Sequence, residues 1–284
     1  MGHATYWFDK NDDVKGFDFS HTLFITEGQA DDNIPLRSDC YYVLHNCTSN
    51  KYHNILKSGK AIILQVYTDD CLQRPNLKKI APCIYCDVSQ QIIHMPWATD
   101  LLPHEIEQVQ KQVKRTFSKK DRKQKYLCWI GTYAKKGLYQ NYTEIIPFLK
   151  IAKKERIRFV QKGKVSIQKN TSLVLHAYMA PTIVGSWQKE HGYIPCRIFK
   201  NISYGQWGIT NSYRVWELFE KKIVYNANTS TLFYDAKKRL QTLQLHELLE
   251  LMDFVKTKHT YINRIETLLD FLNQRHDYVT NTFH

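Results

Sequence analysis

The residues of this chain best suited to hold an anion lie at 193–205, YIPCRIFKNISYG. Arg197 and Lys200 fall in the first turn of a predicted helix that enters from Pro195 and stops at Gly205. Asn201 and Ser203 add hydrogen-bonding side chains. A guanidinium, an ammonium and the open N–H groups of a helix start are the means by which a protein holds phosphate without a metal ion. Gly131-Thr132, directly after a predicted strand, is a second place where a turn brings backbone N–H groups close to phosphate. An ordinary amphipathic helix, with Ile198, Phe199 and Ile202 in the core and the cations solvated, explains the same spacing. Spacing alone does not choose between the two.

The acidic residues point away from metal chemistry. Asp31-Asp32 and Asp69-Asp70 are adjacent pairs whose side chains diverge in an extended chain, and no Asp-x-Asp occurs. No phosphate-binding P-loop is present, since the stretch 131–138 has the wrong spacing and lacks Lys-Ser/Thr. Neither a GxGxxG fingerprint nor a GxSxG elbow is found. Cys83 and Cys86 have CxxC spacing, but a second pair at ligand spacing is missing, so buried thiols on a strand are expected. Glu27, His45 and Asp70 each follow or close an apolar run. That is where ligands gather if those runs are strands of an open α/β sheet.

Composition sets outer bounds. The 284 residues are 43% hydrophobic and 24% charged, a globular mixture without low-complexity segments. No apolar run is long enough to span a bilayer, and the start lacks a secretory h-region, so a soluble cytoplasmic protein with reduced thiols is expected. Forty Lys and Arg against 27 Asp and Glu give a net charge of +13, which suits a polyanionic or phosphorylated partner.

The elements that must position these groups alternate. Runs at 22–26, 41–45 and 61–67 read as strands, and 103–117 reads as a helix with Pro103 in its first turn, capped by Thr99 or Asp100. Its apolar stripe is Ile106, Val109, Val113 and Phe117. The charged stretch 118–125 reads as a linker. A second series follows: strand 126–130, helix 142–153 and strand 157–160, with the stretches 173–177 and 182–184 less defined. After the helix at 197–204 come strand 208–210, helix 213–220, strand 223–225, a capped helix from Thr229 and two closing helices. This βαβ rhythm implies parallel sheets. The expected division is 1–120, 121–260 and a C-terminal helix in 261–284.

Several stretches carry a family resemblance. The segment 193–205, followed by GITN at 208–211, ELF at 217–219 and IVY at 223–225, resembles the donor-side signature of GT-B glycosyltransferases, and most of all the CgeB-like group. HTYINR at 259–264 resembles that group's closing motif. PWATDLLP at 96–103 resembles its interdomain segment. The chain is also similar to the small glycosyltransferases of large DNA viruses of green algae, a xylosyltransferase among them.

The resemblance implies an α/β chain of GT-B type: two Rossmann-like, doubly wound domains facing across a cleft, with the C-terminal helix crossing back. It implies a metal-independent, inverting transfer of a sugar from a UDP-sugar, UDP-xylose being the narrowest expectation, to a hydroxyl of a glycan. No cofactor is expected, and the partners are a nucleotide sugar and an oligosaccharide or glycoprotein glycan, with no nucleic acid and no membrane insertion. Arg197 and Lys200 become diphosphate partners, although many relatives carry Glu at the position of Lys200, which leaves phosphate or ribose open for it. Tyr193 and Ile194 would hold the base, and Asn201, Gly205 and Thr132 would line the diphosphate. The acceptor's base would come from the amino-terminal half, with Glu27 the first choice and Asp31, His45 and Asp70 competing. The competing expectation, from charge and 13% aromatic content, is a basic nucleic-acid-binding protein.

Overall fold

The structure is a computed structural model that describes residues 4–8, 11–26, 35–45, 60–68, 75–117, 124–132 and 141–274. The chain is mixed α/β with mostly parallel sheets and divides into two compact units. The first comprises Met1–Val66, Cys71–Met95 and Asn273–His284, the second Tyr67–Asp70 and Pro96–Leu272. The division expected at residue 120 differs from this one. The helix 103–116 was placed with the first half because a charged stretch follows it. Its apolar stripe instead packs within the second unit.

In the first unit, strands β1 (Leu23–Thr26), β2 (Tyr41–His45), β3 (Ala61–Gln65) and β6 (Ile92–His94) run parallel in that order. Strands β4 (Lys78–Ala81) and β5 (Ile84–Asp87) close the sheet as an antiparallel hairpin beside β6. Every residue of β2 is buried, which explains why its sequence shows no polar alternation. Phe19, Phe24, Cys40, Tyr42, Leu44 and Ala61 form a core cluster here, with Phe24 stacked on Tyr42 at 5.2 Å. Cys83 and Cys86 are buried thiols at the turn and on β5 of the hairpin, with no disulfide among the described residues.

In the second unit, β7 (Gln124–Ile130) pairs in parallel with β8 (Arg158–Lys162) on one side and β9 (Ala177–Met179) on the other. Strands β10 (Ile209–Thr210) and β11 (Val224–Tyr225) are parallel, and Thr182 bridges to Thr210 in parallel. The three-stranded sheet has the order β8-β7-β9, with a reversal of winding between β7 and β9, and β10 and β11 form a separate two-stranded sheet. Right-handed crossovers send the helices after β7 and β8 to opposite faces. On one face, α2 (Asn141–Lys154) packs on α7 (Thr229–Thr242), with Phe148 and Phe233 edge to face at 5.2 Å.

The second unit holds all helices among the described residues. They include α1 (Pro103–Thr116), α3 (Ile167–Leu175), α4 (Ser186–Glu190), α5 (Cys196–Ser203), α6 (Tyr213–Leu218), α8 (Leu245–Lys258) and α9 (Tyr261–Gln274). One undefined stretch is resolved and one sequence expectation changes. Residues 173–175 end helix α3, which Ser166 caps by accepting from Lys169 N–H at 3.3 Å, and β9 follows from Ala177. Helix α1 is not capped by Thr99 or Asp100. Its Glu105 carboxylate accepts from Leu102 N–H at 2.8 Å, and Thr99 and Asp100 are engaged elsewhere.

Candidate functional site

The carboxyl end of β7 is the centre of the candidate site. Gly131 follows the strand with φ +100, a backbone conformation that L side chains rarely adopt, and the chain leaves the sheet there. A Cβ on Gly131 would stand 3.4 Å from Nη2 of Arg197. Arg197, the second residue of α5, lays its guanidinium 3.7 Å from the ring centre of Trp129 and donates from Nε to the Ile130 carbonyl at 3.2 Å. Trp129 is fully buried and donates from Nε1 to the Thr132 carbonyl at 3.4 Å. One side of the cation is thus fixed by an aromatic face and a strand carbonyl.

The other side of Arg197 is unspent. The residue is half-buried, and among the described residues no carboxylate pairs with it and no acceptor meets its terminal nitrogens. Burial pushes the guanidinium below its ordinary pKa, with Cys196 and Tyr193 acting in the opposite direction. A partly desolvated cation without an anionic partner gains more from an incoming anion than a solvated one does. It sits at the reversal of strand order, outside the carboxyl end of the sheet, where open α/β sheets bind ligands.

A second cluster surrounds the same sheet edge. Glu144, in the first turn of α2, accepts from Ser186 Oγ at 2.8 Å, Lys189 Nζ at 3.0 Å and Asn211 Nδ2 at 3.3 Å. Asn211 also takes Val184 N–H on its Oδ1 and gives its amide to the Val184 carbonyl. These bonds fix the segment after β9 to the end of β10. Beside it, Trp187 stacks on His191 at 4.0 Å, and Tyr67 meets both Trp187 and Tyr193, at 5.1 and 5.4 Å. Thr68 donates its hydroxyl to the Gly192 carbonyl at 3.0 Å.

The remaining donor-side residues fall into other roles. Lys200 pairs with Asp100 at 2.8 Å, and Tyr204 donates to the other Asp100 oxygen at 2.5 Å. Asn201 is buried and donates to the Ala180 carbonyl at 2.7 Å. Gly205 ends α5 with φ +86, and a Cβ on it would stand 2.7 Å from Val113 and 2.8 Å from Leu175. Ile194 is buried, Tyr193 is half-buried and Thr132 is exposed. Glu27, Asp31 and Asp70 lie outside the described residues. His45 closes β2 and is buried.

The three stretches that carry the resemblance meet in one hydrogen-bonded knot. Thr99 N–H donates to the His259 carbonyl at 3.0 Å, and the Thr99 and Ser203 hydroxyls are 2.7 Å apart. Arg264 donates to the carbonyls of Pro96 at 2.9 Å and Lys258 at 3.1 Å, and its remaining nitrogen meets His259 Nδ1 at 3.0 Å. The His259 ring stacks on Phe199 at 4.6 Å. Burial holds His259 well below its ordinary pKa, helped by Arg264 and Lys258. A neutral His259 with Nδ1 as acceptor fits this arrangement.

Sequence reading singled out Arg197 but missed its platform. Trp129 read as one more apolar strand residue, and its position next to last in β7 was the signal. Asp100, the partner of Lys200, reads in the sequence only as a candidate helix cap in a segment that resembles an interdomain connection. Glu144 precedes an apolar run in the helix expected at 142–153, and nothing in that sequence singles it out. Neither the protein-family models nor the curated proteins with which the chain was compared match it.

Proposed function

We propose that the chain is a metal-independent GT-B glycosyltransferase whose second unit binds the diphosphate of a UDP-sugar. The observation that carries this reading is the Arg197 guanidinium, fixed over Trp129 at the carboxyl edge of a parallel sheet, with no acceptor on its outer nitrogens among the described residues. The resemblance of 193–225 and 259–264 to donor-side motifs supports it independently. In the reaction the acceptor oxygen bonds to the anomeric carbon as the bond from that carbon to the diphosphate breaks. The electron pair leaves on the diphosphate, where Arg197 offsets the developing charge. The acceptor proton passes to a carboxylate, for which Glu27 is the first choice and Asp31 and Asp70 the alternatives, and the anomeric centre inverts. Tyr193 is placed in sequence just ahead of the α5 start, consistent with a contact to the base. Lys200 is committed to Asp100, so Arg197 carries the charge. Donor sugar and acceptor glycan are proposed as classes, with UDP-xylose the narrowest candidate.

Thermal unfolding with UDP in the presence of EDTA tests the reading. A ligand at a hundredfold excess over its Kd stabilises by about 2.7 kcal/mol. The wild-type protein is expected to show this shift and Arg197→Ala to keep about half of it or less. An unchanged shift in the variant would remove Arg197 from the site. A shift that requires metal would overturn the reading as a whole.

A further inference from the structure

The second unit is asymmetric in charge. Between residues 145 and 169 the chain carries eight Lys and Arg side chains, all exposed, against one acid, Glu155. That acid is taken by Lys237 at 2.6 Å. None of the eight has a carboxylate partner among the described residues. Lys150, Lys153 and Lys154 stand on the last turns of α2, Arg156 in the turn after it and Arg158 at the start of β8. Lysines on an edge strand discourage pairing with other chains, and β8 is the edge of its three-stranded sheet. That accounts for Arg158 and Lys162. It does not account for three lysines on a helix.

We propose that the surface formed by the end of α2, the turn after it and the start of β8, which carries Lys150, Lys153, Lys154, Arg156 and Arg158, docks on a membrane surface that carries anionic lipid, peripherally and without insertion. Clusters of four to eight Lys and Arg on one surface suit anionic headgroups. The apolar groups among the cations are aliphatic: Pro147 and Ile151 share a shallow depression with Lys150, Lys153 and Lys154, and Ile167 is 40% exposed. A single-stranded nucleic acid would want aromatic stacking platforms. Here Phe148 is buried and Phe159 half-buried, and the stretch has no exposed aromatic ring. Six of the eight cations are lysines, which act as point charges rather than as the planar forks that read bases.

The test is flotation of the full chain with phosphatidylcholine vesicles, with and without phosphatidylserine, at about 0.1 M and about 1 M salt, where the screening length falls from about 10 Å to about 3 Å. Binding is expected only with phosphatidylserine and only at the lower salt. Each cation near the surface contributes about fivefold, or about 1 kcal/mol. The triple variant Lys150→Glu, Lys153→Glu, Lys154→Glu is therefore expected to lose at least about a hundredfold, and the corresponding Arg variant to bind like wild type. The Glu variant keeps its UDP-induced thermal shift, because these residues are separate from Arg197, so failure of docking and failure of the donor site read out independently. Equal binding to both vesicle types, or unchanged binding by the Glu variant, overturns the proposal. Tighter binding to poly(dT) than to the anionic vesicles, lost in the same variant, overturns it in favour of a nucleic-acid surface.

Discussion

Arg197 and Arg264 both lie in the second unit, and each holds its guanidinium against an aromatic ring, Trp129 at 3.7 Å and Phe199 at 5.7 Å. Arg264 is 3% exposed and divides its donors among two carbonyls and His259. Among the described residues Arg197 gives one hydrogen bond, and no acceptor meets its outer nitrogens. A buried cation with a partner on each of its three nitrogens is a structural tie, and removing it leaves acceptors stranded. A cation held on one side only is an interaction in waiting. On the proposed reading, two arginines inside motifs of the same resemblance divide the work, one for fold and one for ligand.

The comparison breaks if the two respond alike to truncation. Arg264→Ala strands the Pro96 and Lys258 carbonyls and unties the closing motif, so a stability loss of about 3–5 kcal/mol is expected in denaturant unfolding. Arg197→Ala removes one carbonyl bond and one ring contact, and its main loss is expected in UDP affinity. Hydrogen bonds to charged groups contribute about 1.5–3 kcal/mol, so titration calorimetry should find UDP about tenfold to a hundredfold weaker. If Arg197→Ala instead unfolds the protein while Arg264→Ala only weakens UDP, the assignment is inverted.

Acid sharpens the Arg264 side. His259 is neutral in the folded state with a depressed pKa, while in the unfolded chain it titrates near 6.5. Below about pH 6.5 the unfolded state therefore binds a proton that the folded state refuses, and stability falls as pH falls. The loss approaches about 1.4 kcal/mol per pH unit until the folded pKa is reached. Above pH 6.5 this residue contributes no slope. Unfolding curves of His259→Asn between pH 7 and about 5 should be flatter than those of wild type. The smallest effect is expected for Lys200→Met, about 1 kcal/mol of stability from its half-buried pair with Asp100 and no change in the UDP shift. A lost UDP shift in that variant would return Lys200 to the donor site.

The second unit was largely legible because its signals are local. Pro103 opens α1, Asn228 caps α7 through Ser230 and Thr231 N–H, and Gly205 stops α5. The helix α3 was obscured because Leu173, Val174 and Leu175 are equally good strand residues, and only the Ser166 cap decides. The antiparallel hairpin in the first unit was not read, since Lys78 and Lys79 on β4 are exposed and break the apolar pattern. At the site, Arg197 was visible from its type and place, but Trp129 and Glu144 act through neighbours about 70 and 40 residues away or more, which periodicity cannot register. Long-range pairing also explains why Lys200 looked available: Asp100 is 100 residues earlier.

The tie between Thr68 and the 191–192 turn has a consequence for synthesis. Its hydroxyl bond to Gly192 spans 124 residues, and its N–H also meets the His191 carbonyl. During translation Tyr67 and Thr68 emerge long before the residues they bind, so this part of the second unit waits for more than a hundred further residues to leave the ribosome. Contacts of such separation slow folding, because chain closure is unfavourable before the contact forms. A fragment expressed from Pro96 onward would lack this strap altogether. Its aromatic neighbours Trp187 and Tyr193 would lose the Tyr67 ring that packs against both.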